Sequence, residues 1–475
     1  MISLKEIDRS LSDKIKVNGI TCDSRDVREG YVFFAIEGEI DRGEDYIDEA
    51  ITKGACAIVA SDSYSKNLTI PVIKTSNPRK FLSSIASKSF PEFPDTICAI
   101  TGTNGKTSTT NFLQQLWALI GLESSSIGTL GIVGSEEIQD TNYTTPDPLA
   151  LHKMLQRLYK EKITHLALEA SSHGLAQHRI DSVQIRAAGF TNISPDHLDY
   201  HNNMEDYFSA KKRLFTEILP KENYSVICVD TEEGRELSEI IKQSGKGVIE
   251  VGESANAFNL RRVVPSKNGM EIIFQYSGRQ FSIPLKVEGY FQAMNILCAT
   301  GLAVASGVPS EKVFEKIQYL RPITGRLEFC GRTKKGAKIY VDYAHTPDAL
   351  IAALFSLREL TEGNIILVFG CGGNRDTFKR SLMGEIAQNY SDKVIITDDN
   401  PRNENPKKIR KAILDKCPSG VEIPDRSEAI NEALNISELG DSVIIAGKGH
   451  EKIQIIGSKT LPFSDQNVIS EIIGS

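Results

Sequence analysis

The run Ile100-Thr101-Gly102-Thr103-Asn104-Gly105-Lys106-Thr107 sets turn-forming residues ahead of a lysine and a hydroxyl, the spacing of a loop that wraps phosphate oxygens. An apolar strand pattern precedes it and a helix pattern follows. Backbone N–H groups from Gly102 to Gly105 and at Ser108 would then surround phosphates, with Lys106 adding charge and Thr107 sitting on a magnesium ion. Ile100 stands where the usual loop has its first glycine, and no guanine-reading N-K-x-D follows, which favours ATP. Lys211 is a second oddity. Met204, Phe208, Lys211, Phe215 and Ile218 recur at helical spacing, so a lysine interrupts an apolar helix face, while Lys212 and Arg213 point elsewhere. Burial favours its neutral, nucleophilic amine, which can take up carbon dioxide; the alternative is a lysine snorkelling from the helix flank. In Asp398-Asp399-Asn400-Pro401-Arg402 a guanidinium follows an Asn-Pro turn, either to pair with a carboxylate or as an exposed side chain on an ordinary turn.

These residues need elements to hold them, and the chain supplies strands in an α/β rhythm. Strands are expected at 96–100, 164–168, 187–191 and 225–229, with helices at 108–120, 149–159 and 204–219 and period-two hairpins over 258–287. After the turn Arg321-Pro322-Ile323-Thr324-Gly325 the rhythm restarts, with strands at 338–341, 365–369, 393–397 and 442–446. Two prolines at 91 and 94 mark an earlier connection. The expectation is an α/β protein of three domains: a small N-terminal α/β domain (1–93), a central P-loop domain whose parallel sheet carries a β insertion (94–323), and a C-terminal Rossmann-like, doubly wound domain (324–475). The polar clusters TGTNGKT, EASSHG, TNISPDH, DYAH, GCGGNRD, DDNPR and GKGHE each follow a strand, where α/β sheets bind ligands, so the two larger domains are expected to face each other across a cleft.

Composition narrows the classes. The 475 residues suit about three domains. With 55 Lys+Arg against 62 Asp+Glu the net charge is −7, which offers no broad positive field for nucleic acid or an anionic membrane, so anions must be held locally. The charged N-terminus lacks a signal core and no apolar run approaches a membrane span; we expect a cytoplasmic protein without membrane insertion. Eight scattered cysteines without a C-x-x-C pair argue against a zinc knuckle or a disulfide framework, and Cys371 reads as a buried hydrophobe rather than a nucleophile.

The ordered set TGTNGKT, Tyr143-Thr144-Thr145-Pro146, Glu169-Ala170-Ser171-Ser172-His173-Gly174, Asp196-His197-Leu198-Asp199-Tyr200-His201, Asp342-Tyr343-Ala344-His345 and Gly447-Lys448-Gly449-His450-Glu451 resembles the Mur ligases of peptidoglycan synthesis, over nearly the whole length. The resemblance implies that ATP phosphorylates a carboxylate to an acyl phosphate, which an amine attacks to give an amide. It implies magnesium held by Glu169, His197 and a carbamylated Lys211, with Lys106 on the phosphates, and makes His201 structural. It places the nucleotide also on Asn295, Arg326, Asp342 and His345. A UDP-N-acetylmuramoyl dipeptide would lie on Ser24, Thr144, Thr145, Ser171, Gln177 and Arg179, beginning at the motifs Thr21–Arg25 and Val32–Gly38.

Asp399, Asn400, Pro401 and Arg402 match the pattern of family members that add meso-diaminopimelate, whose extra carboxylate suits the guanidinium, and Arg375, Gly447 and Glu451 match the remaining amino-acid contacts. Two departures stand out: Asn374 replaces a usual acidic residue, and Asn202 a usual glycine. The resemblance thus implies ATP-dependent addition of meso-diaminopimelate to the D-glutamate side chain, with domain closure to join the two sites. A lysine-adding relative, a folylpolyglutamate synthetase, a P-loop switch protein and a dinucleotide dehydrogenase reading 370–373 are the alternatives.

Overall fold

The computed structural model describes residues 17–38, 41–135, 143–266, 269–374 and 376–474. They fall into two compact units: one runs to Thr101 and adds Leu122–Ala188 and Ala210–Asn223, the other takes Gly102–Gly121, Gly189–Ser209 and Tyr224 onward. Among the described residues no helix is long and apolar enough to cross a membrane.

In the first unit the strands Gly19–Thr21, Tyr31–Phe34, Ala55–Ser61 and Val72–Thr75 form a parallel sheet in chain order. Alternation sends Val32, Phe34, Ala57 and Val59 to one apolar cluster and Phe33, Ala35, Ile58 and Ala60 to the other, so both faces are covered. Helix Pro78–Ser89 covers the first face through Leu82, Ile85 and Ala86; Asn77 caps it by accepting from Lys80 N, and Pro78 occupies a position that needs no donor. The same unit pairs Thr96–Thr101 and Ser124–Gly128 in parallel with His165–Glu169, and Gly131–Val133 antiparallel with Ser124–Gly128. Helix Pro148–Lys160 begins where Asp147 accepts from the N–H groups of Leu149 and Ala150.

In the second unit the expected period-two segment forms the antiparallel strands Phe258–Ser266, Gly269–Tyr276 and Arg279–Leu285, which join the parallel pair Tyr224–Cys228 and Gly247–Gly252. Rings of Phe258, Phe274, Tyr276 and Phe281 pack around Phe314, which anchors this insertion to helix Ser310–Ile317. A six-stranded sheet follows, in the order Glu328–Arg332, Lys338–Asp342, Ser442–Ala446, Ile365–Phe369, Lys393–Ile396, Val421–Glu422. Five strands are parallel and carry buried clusters on both faces, the doubly wound arrangement. The edge strand Glu328–Arg332 is antiparallel and bulged at Phe329/Gly331; its five residues, charged at both ends and holding a glycine, carry too little alternation to be read as a strand.

One expected helix is corrected. Met204–Leu219 is an α-helix only over Met204–Arg213; Leu214–Ile218 widens into a π-helical turn, in which Leu219 N donates to Leu214 O at 2.9 Å. The wider turn carries the apolar face from Lys211 and Phe215 to Leu219, which is buried, rather than to Ile218. Arg213, expected off the apolar face, donates to Asp181 and to the carbonyl of Leu175.

Candidate active site

The phosphate loop follows strand Thr96–Thr101 and opens helix Lys106–Ile120, the context its sequence requires. Gly102 and Gly105 have φ of +150° and +83°, and a Cβ on them would lie 1.9 Å from Thr191 Oγ1 and 2.3 Å from Asn295 Oδ1, so only glycine allows the close approach. Segment 191–194 is the scaffold of this loop. Thr103 N and Asn104 N donate to the carbonyl and side-chain oxygens of Asn192, and Thr191 Oγ1 donates to Asn104 O at 2.6 Å. Thr103 Oγ1 meets Ser194 N and the hydroxyl of the fully buried Tyr207, each at 3.0 Å. Asn192, Ser194 and Tyr207 were missed by sequence reasoning, because nothing in a motif shows which loop lies against which.

Lys106 Nζ lies in the loop, 2.9 and 2.8 Å from the carbonyls of Gly102 and Thr103. Arg326 donates to the Thr107 hydroxyl at 3.1 Å and stacks on the Tyr343 ring at 4.2 Å. Gln292 links Asn295 to the carbonyl of Arg326, a second residue that spacing did not expose. Asp342 ends its strand buried, accepting from Leu327 N and Ala344 N; burial pushes its carboxyl up to about 6, against the pull of Arg326. His345 is held neutral by burial, its pKa lowered to about 4, with the Lys379 cation acting in the same sense and Asp196 opposing. Its Nδ1 lies 2.9 Å from Tyr343 O, so that nitrogen carries the proton. Asn295, Arg326, Asp342 and His345 thus stand in one neighbourhood with the phosphate loop.

Glu169 ends strand His165–Glu169 fully buried. Its carboxylate accepts from Thr129 N at 2.9 Å and Thr129 Oγ1 at 3.1 Å, and a Cβ on Gly128 would reach 2.1 Å from it. Thr144 shares the Thr129 hydroxyl, while Thr145 Oγ1 donates to Glu169 O and accepts from Ser171 N. Ser171 caps helix Ser172–Ala176, so these hydroxyls are tied into the local structure. Lys211 is buried, as its place in the apolar stripe requires, and His197 is partly exposed with φ +55° and its Nε2 3.4 Å from Asp196. Among the described residues no three His, Cys, Asp or Glu side chains gather to hold a metal ion. His201 is buried against the Tyr207 ring, and Asn202 donates to Asp206 at 2.7 Å where a glycine was expected.

A cavity of about 1000 Å³ in the first unit is lined by Ser24, Glu37, Arg79, Tyr143, Lys153, Gln177 and Arg179 among others. Ser24 donates to Glu49 at 2.9 Å from the edge of this space.

The Asp399–Arg402 loop follows strand Lys393–Ile396 and is locked rather than free. Asn400 accepts from the buried Lys448 ammonium at 3.1 Å and from Ile455 N, and donates to Glu451 at 2.8 Å; Lys448 also donates to Glu451 at 3.0 Å. Arg402 adopts φ +50° and donates to Gly373 O at 2.9 Å, which fixes its guanidinium beside the loop after strand Ile365–Phe369. The Cβ that Gly447 lacks would lie 2.8 Å from Asp399 Oδ2. Arg375 lies outside the described residues. Its neighbour Asn374 takes φ +52° and accepts from Asn403 N, a turn role that an amide fills without a charge. Cys371 is buried, its thiol pushed up to about 12, as a packing cysteine should be. Cys22, by contrast, is exposed.

The family description Mur ligase family, catalytic domain, matches residues 16–90; Mur ligase middle domain matches 100–303; and Mur ligase, glutamate ligase domain, matches 325–449. The chain is 43% identical over 460 residues to the UDP-N-acetylmuramoyl-L-alanyl-D-glutamate--2,6-diaminopimelate ligase of Rhizobium meliloti (strain 1021), covering 97% of this chain and 95% of that protein. A solved structure of an enzyme of that same name has a TM-score of 0.70 at 28% identity and covers 100% of this chain and 99% of its own. The fold is shared at 19% identity with a MurF ligase from Thermotoga maritima in complex with ADP, with a TM-score of 0.64 and 98% of each chain covered.

Proposed function

Because the chain belongs to the Mur ligase family, we propose that it adds meso-diaminopimelate to the D-glutamate side chain of UDP-N-acetylmuramoyl-L-alanyl-D-glutamate, at the expense of ATP, in peptidoglycan synthesis. The observation that carries this reading is the loop Gly447–Glu451. Gly449 packs against Tyr343, and His450 N against Gly325, on the nucleotide side; Lys448 and Glu451 hold Asn400 on the other. Gly447 N also donates to the carbonyl of Asp342 at 3.1 Å, so one loop touches a residue assigned to ATP as well as those assigned to the amino acid, which suits a reaction in which an amine attacks an acyl phosphate.

Lys106 and Arg326 neutralise phosphate oxygens and orient the γ-phosphate. The donors fit a divalent cation: Thr107 and Glu169 offer hard oxygens, and magnesium characteristically takes one or two protein carboxylates and completes its shell with water and substrate phosphate, so the lack of an all-protein cage is no obstacle. Such an ion would be held by Thr107, Glu169, His197 and a carbamylated Lys211, and would supply charge neutralisation between ATP and the attacking carboxylate. Arg402 pairs with the distal carboxylate of the diamino acid, and Glu451, already facing the Lys448 ammonium, receives its ammonium group. We assign the UDP moiety to 1–93, ATP to 94–323 and the amino acid to 324–475, in a cytoplasmic enzyme.

The test is competition. With the UDP-muramoyl dipeptide, ATP and magnesium, phosphate release and product mass should show diaminopimelate used at least a hundredfold more efficiently than lysine, since a polar site rejects an analogue that leaves its buried charge unpaired. Arg402→Ala should erase most of that ratio. Equal use of the two amino acids by the unaltered enzyme would replace this reading with the lysine-adding one.

A further inference from the structure

We propose that Arg380 and Glu404 are positioning residues for the choice of amino acid: their ion pair locks the turn that carries Arg402 onto the loop after strand Ile365–Phe369, and so holds the Arg402 guanidinium in place for the distal carboxylate of the diamino acid. This rests on the function proposed above, and neither residue belongs to the sequence patterns that led to it.

Arg380 lies in the first turn of helix Phe378–Tyr390 with its side chain buried. A cation there opposes the helix dipole, so helix stability does not explain it. Its partner does. Arg380 Nη1 and Nη2 donate to the two carboxylate oxygens of Glu404 at 2.6 and 2.7 Å, a two-pronged pair, and Nη2 also donates to Gly372 O at 3.2 Å. Glu404 Oε2 accepts in addition from Asn374 N at 3.2 Å, and Glu404 N donates to Pro401 O at 3.0 Å. The hydrogen bonds from Arg380, foremost, hold the Glu404 carboxyl below its ordinary pKa. One carboxylate thus joins the start of a helix, the loop 370–374 and the turn 400–404.

The two loops meet backbone to backbone. Gly373 N donates to Asn400 O at 2.9 Å, and a Cβ on Gly373 would lie 1.9 Å from Pro401 O. Gly372 O accepts from Arg380 and Gly373 O from Arg402, so consecutive carbonyls are each taken by an arginine. At this junction Asn374 and Arg402 hold φ of +52° and +50°. Asparagine tolerates that left-handed backbone, whereas an arginine keeps it only where its surroundings enforce it. Three sets of bonds do so. Arg402 N and O pair with Ile455 O and Gly457 N; Asn400 is held by Lys448; and on the far side Asn403 N donates to Asn374 Oδ1 at 3.1 Å while Arg380 grips Glu404. Releasing the far side lets the turn relax, and the order lost must then be restored when the substrate binds. A buried ion pair adds little stability over an apolar pair of similar size, so a role in fixing one arrangement fits it better.

Arg380→Met combined with Glu404→Met removes the lock without leaving a buried charge, and Glu404→Asp keeps the charge but shortens the reach. Melting is followed by calorimetry, and kcat and KM for diaminopimelate, lysine, ATP and the UDP-muramoyl dipeptide by phosphate release. The double variant should melt within a few degrees of the parent. Its KM for diaminopimelate should nevertheless rise about tenfold and its preference over lysine fall by about as much, while kcat and the KM values for ATP and dipeptide stay within about twofold. Glu404→Asp should lie between. In an Arg402→Ala background the double substitution should change the preference by less than about twofold, because the pair acts through that guanidinium. An unchanged preference in the folded double variant, equal losses with diaminopimelate and lysine, or the full effect in the Arg402→Ala background overturns the assignment. So does a double variant that fails to fold beside a Glu404→Asp protein whose preference is intact. If the unaltered enzyme prefers diaminopimelate and only these predictions fail, the functional reading stands; if it uses both amino acids equally, both fall.

Discussion

Asp342 and His345 stand three positions apart and are pushed off their ordinary pKa values by the same burial, with opposite consequences for stability. Asp342, raised to about 6, is a charge the fold would sooner not carry: its cost is present above pH 6 and is relieved as pH falls toward 4, where the folded state takes up a proton before the unfolded chain does. His345, lowered to about 4, does the reverse: the unfolded chain protonates first below about pH 6.5, so stability drains away between 6.5 and 4. The two trends oppose each other in the unaltered protein. In Asp342→Asn only the histidine trend remains, so its melting temperature should fall more steeply than the parent's between pH 6 and 4, and the two curves should converge as acid is added if the variant starts higher. Parallel curves would show that Asp342 does not titrate in this window. The residue also illustrates how much of a site is hidden in sequence: its place after a strand was legible, but its buried ionisation follows from Leu327 and Ala344 closing over it.

At the scale of elements, Glu169, Asp342 and the loops that carry Lys106, Arg402 and Glu451 sit where strands end, and what holds the strand end decides how well such a residue is placed. Strand Ser442–Ala446 delivers the Gly447–Glu451 loop, and its last carbonyl, at Ala446, accepts from Arg426 Nη2 at 3.1 Å. That arginine is fully buried and paired through two nitrogens with the equally buried Asp465 at the start of helix Asp465–Gly474, both bonds 2.8 Å long. Removing one partner leaves an uncompensated charge, at a typical cost of about 3–5 kcal/mol. Asp465→Ala should therefore lower the melting temperature by several degrees and raise the KM for the amino acid more than that for ATP, measured by calorimetry and steady-state kinetics. A variant with unchanged stability would mean that the C-terminal helix does not seat the loop. The helix that carries Lys211 teaches a related lesson. Its apolar spacing identified the buried lysine, yet the π-helical turn beyond Arg213, which moves the buried position to Leu219, depends on packing that no periodicity encodes.

At the scale of the whole molecule, the proposed reaction asks the phosphate loop and the Arg402 loop to serve one acyl phosphate. Adding an ATP analogue together with both other substrates should therefore reduce the radius of gyration in solution scattering, and no single ligand should achieve the full change. An unchanged profile would remove closure from the mechanism. Composition, the alternation of strands and helices, the phosphate loop, the misplaced lysine and the family resemblance were all determined by sequence, because each is a local pattern: a period, a spacing or a run of types. Tertiary structure alone decided that Asn192 and Tyr207 brace the phosphate loop, that Asn400 is gripped by Lys448 and Glu451, and that Arg79 and Arg179 share one oxygen. Those partners lie tens to about a hundred residues apart in the chain, and the contact between two such side chains depends on how every intervening element packs, which no local pattern records.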